Sequence, residues 1–486
     1  MTTIDDIFEE ILEQIKPTNE EIDLIDKIVQ KLSNLIRRKA EELNIDYIDI
    51  EPQGSTGIKQ TQLRNDFDID LFIGLDYAAF KKKYDNLDKR KLKKKIKEKF
   101  LWYCNNWIIE SLGSSEFKNP KLLYAEHPYV QVKYKKNGIT IQIDIVLYFD
   151  LDREYIRENG PITAVDRSPW HGKFVQKELN AVQKDEVRLL KQFFKACHSY
   201  GDKSALGRVG FIGYSAELLI YHFGDLLGVF KNFNTLEYNP LDYYGRSKEE
   251  LSEIDHFQND FFIIIDPIDK FRNVASAISE KAYRYCKSQV REFLSKPSNK
   301  FFQIEEIPLF KHTDSPNLTE KLFIVESKDI NSDIHYTETR DKLYSLGDFI
   351  ATHGEKEYSH EKRFGNIFFE VFFKVPKKEY NLALYCENPH INPTYERRGP
   401  PLKAEKHMRK FKQKNPNYFV KNGYLWTETK RDYHRFNEFL SDTIQKRIPD
   451  NLDIVNISNS KYAKTNSGRK ALYVLKNMIL PYCSEY

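Results

Sequence analysis

Two aspartates with one residue between them, Asp68 and Asp70, are the side chains of this sequence best suited to chemistry. Alternate residues of a strand share one face, so these carboxylates are expected to point the same way, about 6–7 Å apart along the chain. Like charges on one face repel each other, and a divalent cation between them removes that cost. Mg²⁺ suits such a position because it binds a few carboxylates together with phosphate oxygens of a substrate. The spacing therefore predicts a metal site on a strand.

The residues around this pair favour the same interpretation. Gly54 and Ser55 form a small-residue turn before it, and exposed backbone N–H groups and a hydroxyl in such a turn can bind phosphate. Asp144 lies in the apolar run 141–147, where a lone carboxylate needs a partner or an ion. If its strand lies beside the first, three carboxylates can hold two metal ions about 3.5–4 Å apart, one for an attacking hydroxyl and one for a leaving pyrophosphate. A D-x-D pair alone is more often a solvated strand face.

The elements that must position these residues follow from hydrophobic periodicity. Alternating apolar residues predict short strands at 46–51, 67–73, 130–135 and 139–147, the last two flanking an Asn137-Gly138 turn. Helical periodicity predicts helices at 4–15, 184–197, 210–223 and 275–294, and a Thr18–Glu21 capping box predicts the start of another. The C-terminal third alternates strand-like and helical runs, so the whole chain is predicted to be α+β.

Composition restricts the class of protein. A length of 486 residues predicts two to four domains, and 40% hydrophobic with 30% charged residues is typical of folded globular proteins. The five cysteines are scattered singly, which argues against a zinc site or a disulfide framework. Apolar runs are too short to span a membrane, and the first residues lack the features of a signal peptide. We therefore expect a cytoplasmic protein with no membrane association.

The charge of this chain is nearly balanced, with 76 Lys and Arg against 72 Asp and Glu and a net charge of +4. A surface for nucleic acid must therefore come from local clustering of cations. Residues 397–414 provide such a cluster, with aromatic residues nearby. The lysine-rich segment 81–99 is a second candidate. A solvated amphipathic helix is the alternative interpretation of both.

Several motifs occur together in an order that resembles one known family. They lie at 54–55, 68–70, 144, 163–171, 186–191, 200–201, 210–219, 266–275 and 397–401. The first three resemble the signature of the nucleotidyltransferase superfamily, and the others resemble the archaeal-type (class I) CCA-adding enzymes, which are tRNA nucleotidyltransferases. Asp68 stands where this family often has Glu, which shortens the carboxylate by one methylene.

The resemblance implies an α+β multidomain fold with three parts. Residues 1–155 would form an N-terminal catalytic domain of the polymerase β-like type. Residues 156–295 would form a helical central domain that binds nucleotide, and residues 296–486 a C-terminal α+β body and tail that bind tRNA.

The resemblance also implies roles for individual residues. The catalytic carboxylates that bind two Mg²⁺ ions would be Asp68, Asp70 and Asp144. The nucleotide would be bound by the turn at Gly54 and Ser55, the basic residue Lys59, and Ser168, His171, Lys191, Tyr200 and Arg272. The acceptor stem and TΨC arm of tRNA would be bound by Arg397, Arg398, Lys406, Arg409 and Lys410.

The activity that follows is addition of C, C and A to the 3′ end of tRNA from CTP and ATP, without a nucleic-acid template and with release of pyrophosphate. Relatives suggest a homodimer. Two alternatives remain open. One is another template-independent RNA nucleotidyltransferase, such as a poly(A) polymerase, and the other is a non-catalytic tRNA-binding protein on the same fold.

Overall fold

The computed structural model describes residues 3–66, 68–84, 87–113, 116–124, 127–136, 138–258, 260–314, 316–331, 334–357 and 361–485. The chain forms two compact units, each built from three segments. Unit 1 consists of Met1–Cys197, Phe211–Ile278 and Lys287–Gln303, and unit 2 of His198–Gly210, Ser279–Cys286 and Ile304–Tyr486. The division into three domains at 155 and 295 stays a prediction.

The helices of the first 303 residues are numbered in chain order. They are α1 (Ile4–Ile15), α2 (Asn19–Leu43), α3 (Tyr77–Lys83), α4 (Lys89–Tyr103), α5 (Glu110–Leu112), α6 (Arg153–Asn159), α7 (Ser168–Glu178), α8 (Ala181–Ala196), α9 (Gly213–Phe223), α10 (Leu226–Asn232), α11 (Lys248–Ser252) and α12 (Glu280–Ser295). The predicted capping box is present, since the Thr18 side chain accepts from the Glu21 N–H and Glu21 accepts from the Thr18 N–H.

Unit 1 is organised around a five-stranded mixed sheet. Its strands are β1 (Ile50–Gln53), β2 (Ile69–Asp76), β3 (Phe117–Tyr124), β4 (Pro128–Lys136) and β5 (Ile139–Asp150), in the spatial order β1-β2-β5-β4-β3. Strands β2 and β5 are parallel, and the other neighbours are antiparallel. The predicted β4–β5 hairpin is present, although Asn137 of its turn lies outside the described residues.

The core beneath this sheet is built from the apolar faces of the strands and of α2. The fully buried ring of Trp107 packs there and donates its indole N–H to the Ile36 carbonyl of α2 at 2.9 Å. That bond satisfies the one polar atom of a large buried side chain. The sheet is therefore a rigid support for residues at the strand ends.

Unit 2 contains two antiparallel sheets. Its helices are α13 (Pro316–Thr319), α14 (Tyr336–Glu355), α15 (Glu405–Lys414), α16 (Phe436–Arg447) and α17 (Asn466–Tyr473). Its strands are β6 (Leu322–Asp329), β7 (Ile367–Lys374), β8 (Glu379–Cys386), β9 (Thr394–Pro401), β10 (Tyr418–Lys421), β11 (Tyr424–Lys430) and β12 (Leu452–Asn459). One sheet has the order β12-β6-β8-β7 and the other β10-β11-β9. The multidomain α+β class predicted from the sequence is confirmed.

The buried carboxylate of Glu370 on β7 joins the short early segments of unit 2 to its later strands. It accepts the Gly207 N–H at 3.2 Å, pairs with the Lys281 ammonium at 3.1 Å and accepts the Tyr344 hydroxyl. Residues far apart in sequence therefore share one acceptor.

None of the helices within the described ranges is long and apolar enough to cross a bilayer.

Candidate active site

The carboxylates of Asp70 and Asp144 lie side by side on the two parallel strands of the sheet. Asp70 of β2 is the register partner of Asp144 of β5, and both residues are half-buried. The Gln131 side chain on β4 donates to Asp144 Oδ1 at 3.0 Å, which fixes the rotamer of that carboxylate. The sheet therefore brings together two of the three predicted catalytic residues from positions 74 residues apart, 144 minus 70.

These two carboxylates have more negative charge than their surroundings neutralise. Loss of contact with water, followed by repulsion from Asp144 and Asp68, raises the pKa of Asp70 to about 7, although Lys59 opposes the shift. Burial also raises the pKa of Asp144, against the hydrogen bond from Gln131. Such a pair is stabilised by a cation between the two side chains.

Asp68 differs from the prediction. It precedes β2, whose first residue, Ile69, pairs with Ile143 of β5, and its side chain is exposed. Its backbone carbonyl accepts the Thr56 hydroxyl. Asp68 is close enough to raise the pKa of both other carboxyls, although it lies outside the strand that carries Asp70.

Asp70 and Asp144 fit a divalent cation, because Mg²⁺ prefers carboxylate oxygens as ligands and the negative charge of this pair is not neutralised by its surroundings. Over the ranges that the structure describes, no three His, Cys, Asp or Glu side chains converge into a complete metal cage. Further ligands would have to come from a reoriented Asp68, from water or from a substrate, which is usual for Mg²⁺ bound with phosphates.

The turn at Gly54 packs directly against Asp70. Gly54 has a φ of +71°, and a Cβ at this position would lie 2.4 Å from Asp70 Oδ2, so any other residue would displace the carboxylate. Ser55 follows, half-buried, and its carbonyl accepts the Thr61 N–H at 2.9 Å. The segment 54–62, which we name the phosphate loop after its predicted role, therefore folds back on itself beside the carboxylates.

Two predicted nucleotide-binding lysines meet at one buried carboxylate on α9. Glu217 Oε2 lies 2.7 Å from the Lys59 ammonium, and Glu217 Oε1 accepts the Thr61 hydroxyl at 2.7 Å and lies 3.7 Å from the Lys191 ammonium. Lys191 donates to both the carbonyl and the hydroxyl of Thr61 at 2.9 Å. The Lys59 ammonium also lies 4.5 Å above the Tyr214 ring. We call Lys59, Thr61, Lys191 and Glu217 the lysine–glutamate cluster.

Two other predicted residues, His171 and Arg272, meet at a second buried carboxylate, Asp266. Asp266 Oδ2 contacts His171 Nε2 at 2.7 Å and accepts from Arg272 at 2.9 Å. Asp266 Oδ1 accepts the Tyr214 hydroxyl at 3.1 Å and the Ile268 N–H at 2.9 Å. The His171 ring stacks on Tyr214 with centroids 4.1 Å apart. We call this set the Asp266 cluster.

The ionisation of the Asp266 cluster follows from its contacts. Burial would raise the pKa of Asp266, but His171 and Arg272 outweigh burial and hold it far below its usual value. Burial lowers the pKa of His171 to about 4, against the opposing effect of Asp266. At neutral pH the cluster is therefore a carboxylate paired with the guanidinium of Arg272, with a neutral imidazole as an additional donor.

Ser168 and Tyr200 complete the predicted nucleotide-binding set. Ser168 is the first residue of α7, which also carries His171, and it is half-buried. Tyr200 belongs to unit 2 and precedes a short helical turn at Gly201–Lys203. Unit 1 therefore contains the other predicted nucleotide-binding residues, from Gly54 to Arg272.

Sequence reasoning missed the residues that hold the lysines and the arginine in place. Glu217 and Asp266 occur in the sequence only within longer motifs, and no local pattern marks Thr61 or Gln131 as site residues. A usable signal existed for Glu217, since it is a lone carboxylate in an otherwise apolar helix, the same feature that identified Asp144.

The predicted RNA-binding residues lie on two neighbouring elements of unit 2, β9 and α15. Helix α15 packs on β9, where the Phe411 ring lies 2.6 Å from the position that a Cβ of Gly399 would take. Arg397 and Arg398 project from β9, and the Arg398 guanidinium lies 4.6 Å from the centroid of the Tyr424 ring. The solvent-exposed cations of α15 in this set are Lys406, Arg409 and Lys410. We call these five cations the basic surface.

The rival lysine-rich segment belongs to unit 1. Its described residues form α3 and α4, whose lysines are mostly exposed. The Lys99 ammonium packs over the rings of Trp102 and Tyr103 at 4.5 and 4.4 Å. Contact of this segment with RNA stays a prediction.

Two family models match separate segments of the chain. The model described as tRNA nucleotidyltransferase, second domain, matches residues 185–303, and the model described as CCA-adding enzyme, C-terminal domain, matches residues 370–449.

Similar proteins extend these matches over almost the entire length. The CCA-adding enzyme of Methanocaldococcus jannaschii is 27% identical over 96% of this chain and 95% of its own. That of Pyrococcus abyssi is 34% identical over 60% of each chain, and that of Saccharolobus islandicus strain Y.G.57.14 is 29% identical over 91% of each. Among solved structures, the Cid1 poly(U) polymerase is 14% identical with a TM-score of 0.45, over 61% of this chain and 98% of that chain.

A mixed sheet that pairs Asp70 with Asp144 beside a Gly-Ser turn, followed by a matching second domain, defines a nucleotidyltransferase. The two matching segments both correspond to models of enzymes that act on tRNA or add CCA. Over almost its entire length, the chain is similar to the archaeal CCA-adding enzymes.

Proposed function

We propose that this protein adds C, C and A to the 3′ end of tRNA, using CTP and ATP, without a nucleic-acid template and with release of pyrophosphate. The observation that carries the proposal is the pair of unneutralised carboxylates, Asp70 and Asp144, with the phosphate loop packed against it. The similar archaeal proteins, which are named CCA-adding enzymes, support the choice of RNA substrate.

Asp70 and Asp144, with Asp68 after a change of rotamer, are the residues that would hold two Mg²⁺ ions. When bound, the ions would lower the pKa of the attacking 3′-hydroxyl and neutralise charge on the leaving pyrophosphate. Gln131 keeps the Asp144 carboxylate in one orientation. Gly54 lets the backbone approach the carboxylates closely, so the N–H groups of the phosphate loop and the Ser55 hydroxyl can donate to phosphate oxygens.

The remaining nucleotide-binding residues supply charge and shape. Lys59 and Lys191 place positive charge behind the phosphate loop, where it favours a bound triphosphate. His171 and Arg272 are held by Asp266, and Arg272 keeps a partly exposed guanidinium for the nucleotide base. Ser168 and Tyr200 contribute hydroxyl groups for the triphosphate and sugar.

The basic surface would bind the acceptor stem and TΨC arm of the tRNA through phosphate contacts. Arg and Lys side chains on a β-ribbon and one helix recognise the position of the backbone rather than its sequence. A homodimer in the cytoplasm is part of the same proposal, and light scattering of the purified protein tests the dimer.

The decisive experiment is incorporation of labelled CTP and ATP into a tRNA transcript that ends at the discriminator base. We expect the tRNA to become longer by three nucleotides, added in the order C, C, A. We also expect pyrophosphate release that depends on Mg²⁺. A long tail from ATP alone would instead identify a poly(A) polymerase. Tight tRNA binding without pyrophosphate release would identify a non-catalytic binding protein.

A further inference from the structure

Glu217 on α9 is a buried charged residue of unit 1 that the proposed mechanism does not use. Its side chain is 1% exposed, and most of the helix around it is apolar. A carboxylate in such a place is costly unless its charge is paired and its oxygens accept hydrogen bonds. Here both oxygens have partners, and those partners include two residues predicted to bind the nucleotide triphosphate.

The contacts of Glu217 tie two separate elements together. Lys59 and Thr61 belong to the phosphate loop, whereas Lys191 belongs to α8. Glu217 pairs with Lys59 and accepts the Thr61 hydroxyl, each at 2.7 Å, and Lys191 donates to the Thr61 carbonyl and hydroxyl at 2.9 Å. Together with Arg188 of α8, which donates to the carbonyls of Gln60 and Gln62, these contacts hold the loop against α8 and α9.

The charges of this cluster leave a surplus of one positive charge. Burial alone would raise the pKa of Glu217, but Lys59 and Lys191 outweigh it and lower that pKa, so the carboxylate is ionised. Two ammonium groups against one carboxylate give a net charge of +1. An ammonium has three N–H donors, and the structure places one donor of Lys59 on Glu217. Glu217 thus keeps two cations close together without cancelling both.

We propose that Glu217 is a positioning residue for the incoming nucleotide. Its carboxylate holds Lys59 and Lys191 behind the phosphate loop so that their surplus charge faces the triphosphate. Removal of the Glu217 charge leaves two lysines facing each other without a counterion, which displaces at least one of them and loosens the loop. This inference rests on the proposed function and deepens it.

The test compares Glu217→Gln with the wild-type protein in steady-state CTP addition to tRNA lacking CCA. We expect the KM for CTP to rise by about 10- to 100-fold, because a charge-assisted hydrogen bond contributes about 1.5–3 kcal/mol. The KM for tRNA should stay within about twofold of wild type, since the basic surface is unchanged. Glu186→Gln is the matched control, because Glu186 is a half-buried α8 carboxylate bonded to the Leu226 N–H.

Thr61→Val provides an independent variant in case Glu217→Gln does not fold. It keeps the side-chain shape and the backbone carbonyl that accepts from Lys191, but it removes the hydroxyl shared by Lys191 and Glu217. We expect a rise of about threefold or more in the KM for CTP, with the KM for tRNA unchanged.

Two results would overturn the positioning role. One is a folded variant with a KM for CTP within twofold of wild type. The other is an equal rise in the KM values for CTP and tRNA together with a lower Tm, which indicates general destabilisation. Failure of the proposed function is distinguishable, because the wild-type protein would then add no CCA in the same assay.

Discussion

Unit 1 contains two groups of aspartates whose electrostatic states are opposite. Asp70 faces Asp144, and its pKa is raised to about 7. Asp266 accepts from four groups, among them the guanidinium of Arg272, and its pKa is held far below the usual range. Loss of contact with water acts in the same direction on both, so the charges and donors of the neighbouring side chains decide the outcome. A carboxylate short of donors can bind a cation from solution, whereas a saturated one holds its own donors in place.

The largest effect on catalysis is expected at the carboxylate pair of Asp70 and Asp144. Asp70→Asn removes one charge of the pair and should lower kcat for CCA addition by about 10⁴-fold, equivalent to about 5.4 kcal/mol of transition-state stabilisation. Single-turnover incorporation of labelled CTP measures this rate. The matched control is Asp76→Asn on the same strand, where the exposed side chain caps α3 through the Ala79 N–H. Equal losses in the two variants would contradict the assignment.

A large effect on the stability of the fold is expected at Asp266, which accepts several hydrogen bonds. Asp266→Asn removes the counterion of Arg272 from a fully buried position, and breaking such a pair should lower the free energy of unfolding by about 4 kcal/mol. Chemical denaturation followed by circular dichroism measures this change. Asp269→Asn, which disturbs the neighbouring pair with Arg167, is the comparison at a similar depth. A change in stability of less than about 1 kcal/mol for Asp266→Asn would show that the cluster is not structural.

A smaller effect is expected from pH, through His171. Its pKa is lowered to about 4 in the folded protein from an ordinary value of 6.5, so the folded state binds this proton less readily than the unfolded state. The stability contributed by neutral His171 is present above pH 6.5 and is lost as pH falls towards 4, at about 1.4 kcal/mol per pH unit. We expect a shallower decline in His171→Gln. Parallel stability curves for the two proteins between pH 6.5 and 4.5 would be inconsistent with this account.

The smallest effect is expected for exposed charge, which solvent screens. Lys410→Gln on the basic surface should raise the KM for tRNA by about two- to fivefold and reduce the salt dependence of tRNA binding by about one unit of slope. Filter binding at several salt concentrations measures both. Lys446→Gln is the control, since Lys446 is an exposed lysine on α16 paired with Asp442. An unchanged slope for Lys410→Gln would remove that residue from the RNA contact.

The sequence identified the first group of aspartates better than the second. A D-x-D spacing and a lone carboxylate in an apolar strand are local signals. They predict Asp70 and Asp144 as site residues without knowledge of the β2–β5 register. The position of Asp68 could not be derived, because the first residue of β2 is set by its pairing with β5. Glu217 meets Lys59 across 158 residues, and Asp266 meets His171 across 95, so both contacts require the tertiary fold.

The bounds of the helices and strands also separate into those that local sequence determines and those that long-range pairing determines. Helix α1 begins and ends where its periodicity predicted, because its apolar face and its caps are encoded locally. Strand β1 begins at Ile50 rather than at residue 46, because its length is set by the ladder with β2. Local signals therefore gave helix positions and candidate carboxylates, and long-range pairing determined which side chains meet.

Unit 2 is built from three separate segments of the chain, and this affects how it folds during synthesis. The ribosome synthesises residues 198–210 and 279–286 before β6, β7 and β8. Gly207 and Lys281 therefore cannot contact the Glu370 carboxylate until β7 has been made. At about 5–20 residues per second, the first of these segments is without its strands for roughly 8–35 s. Translation speed should therefore affect the yield of folded unit 2.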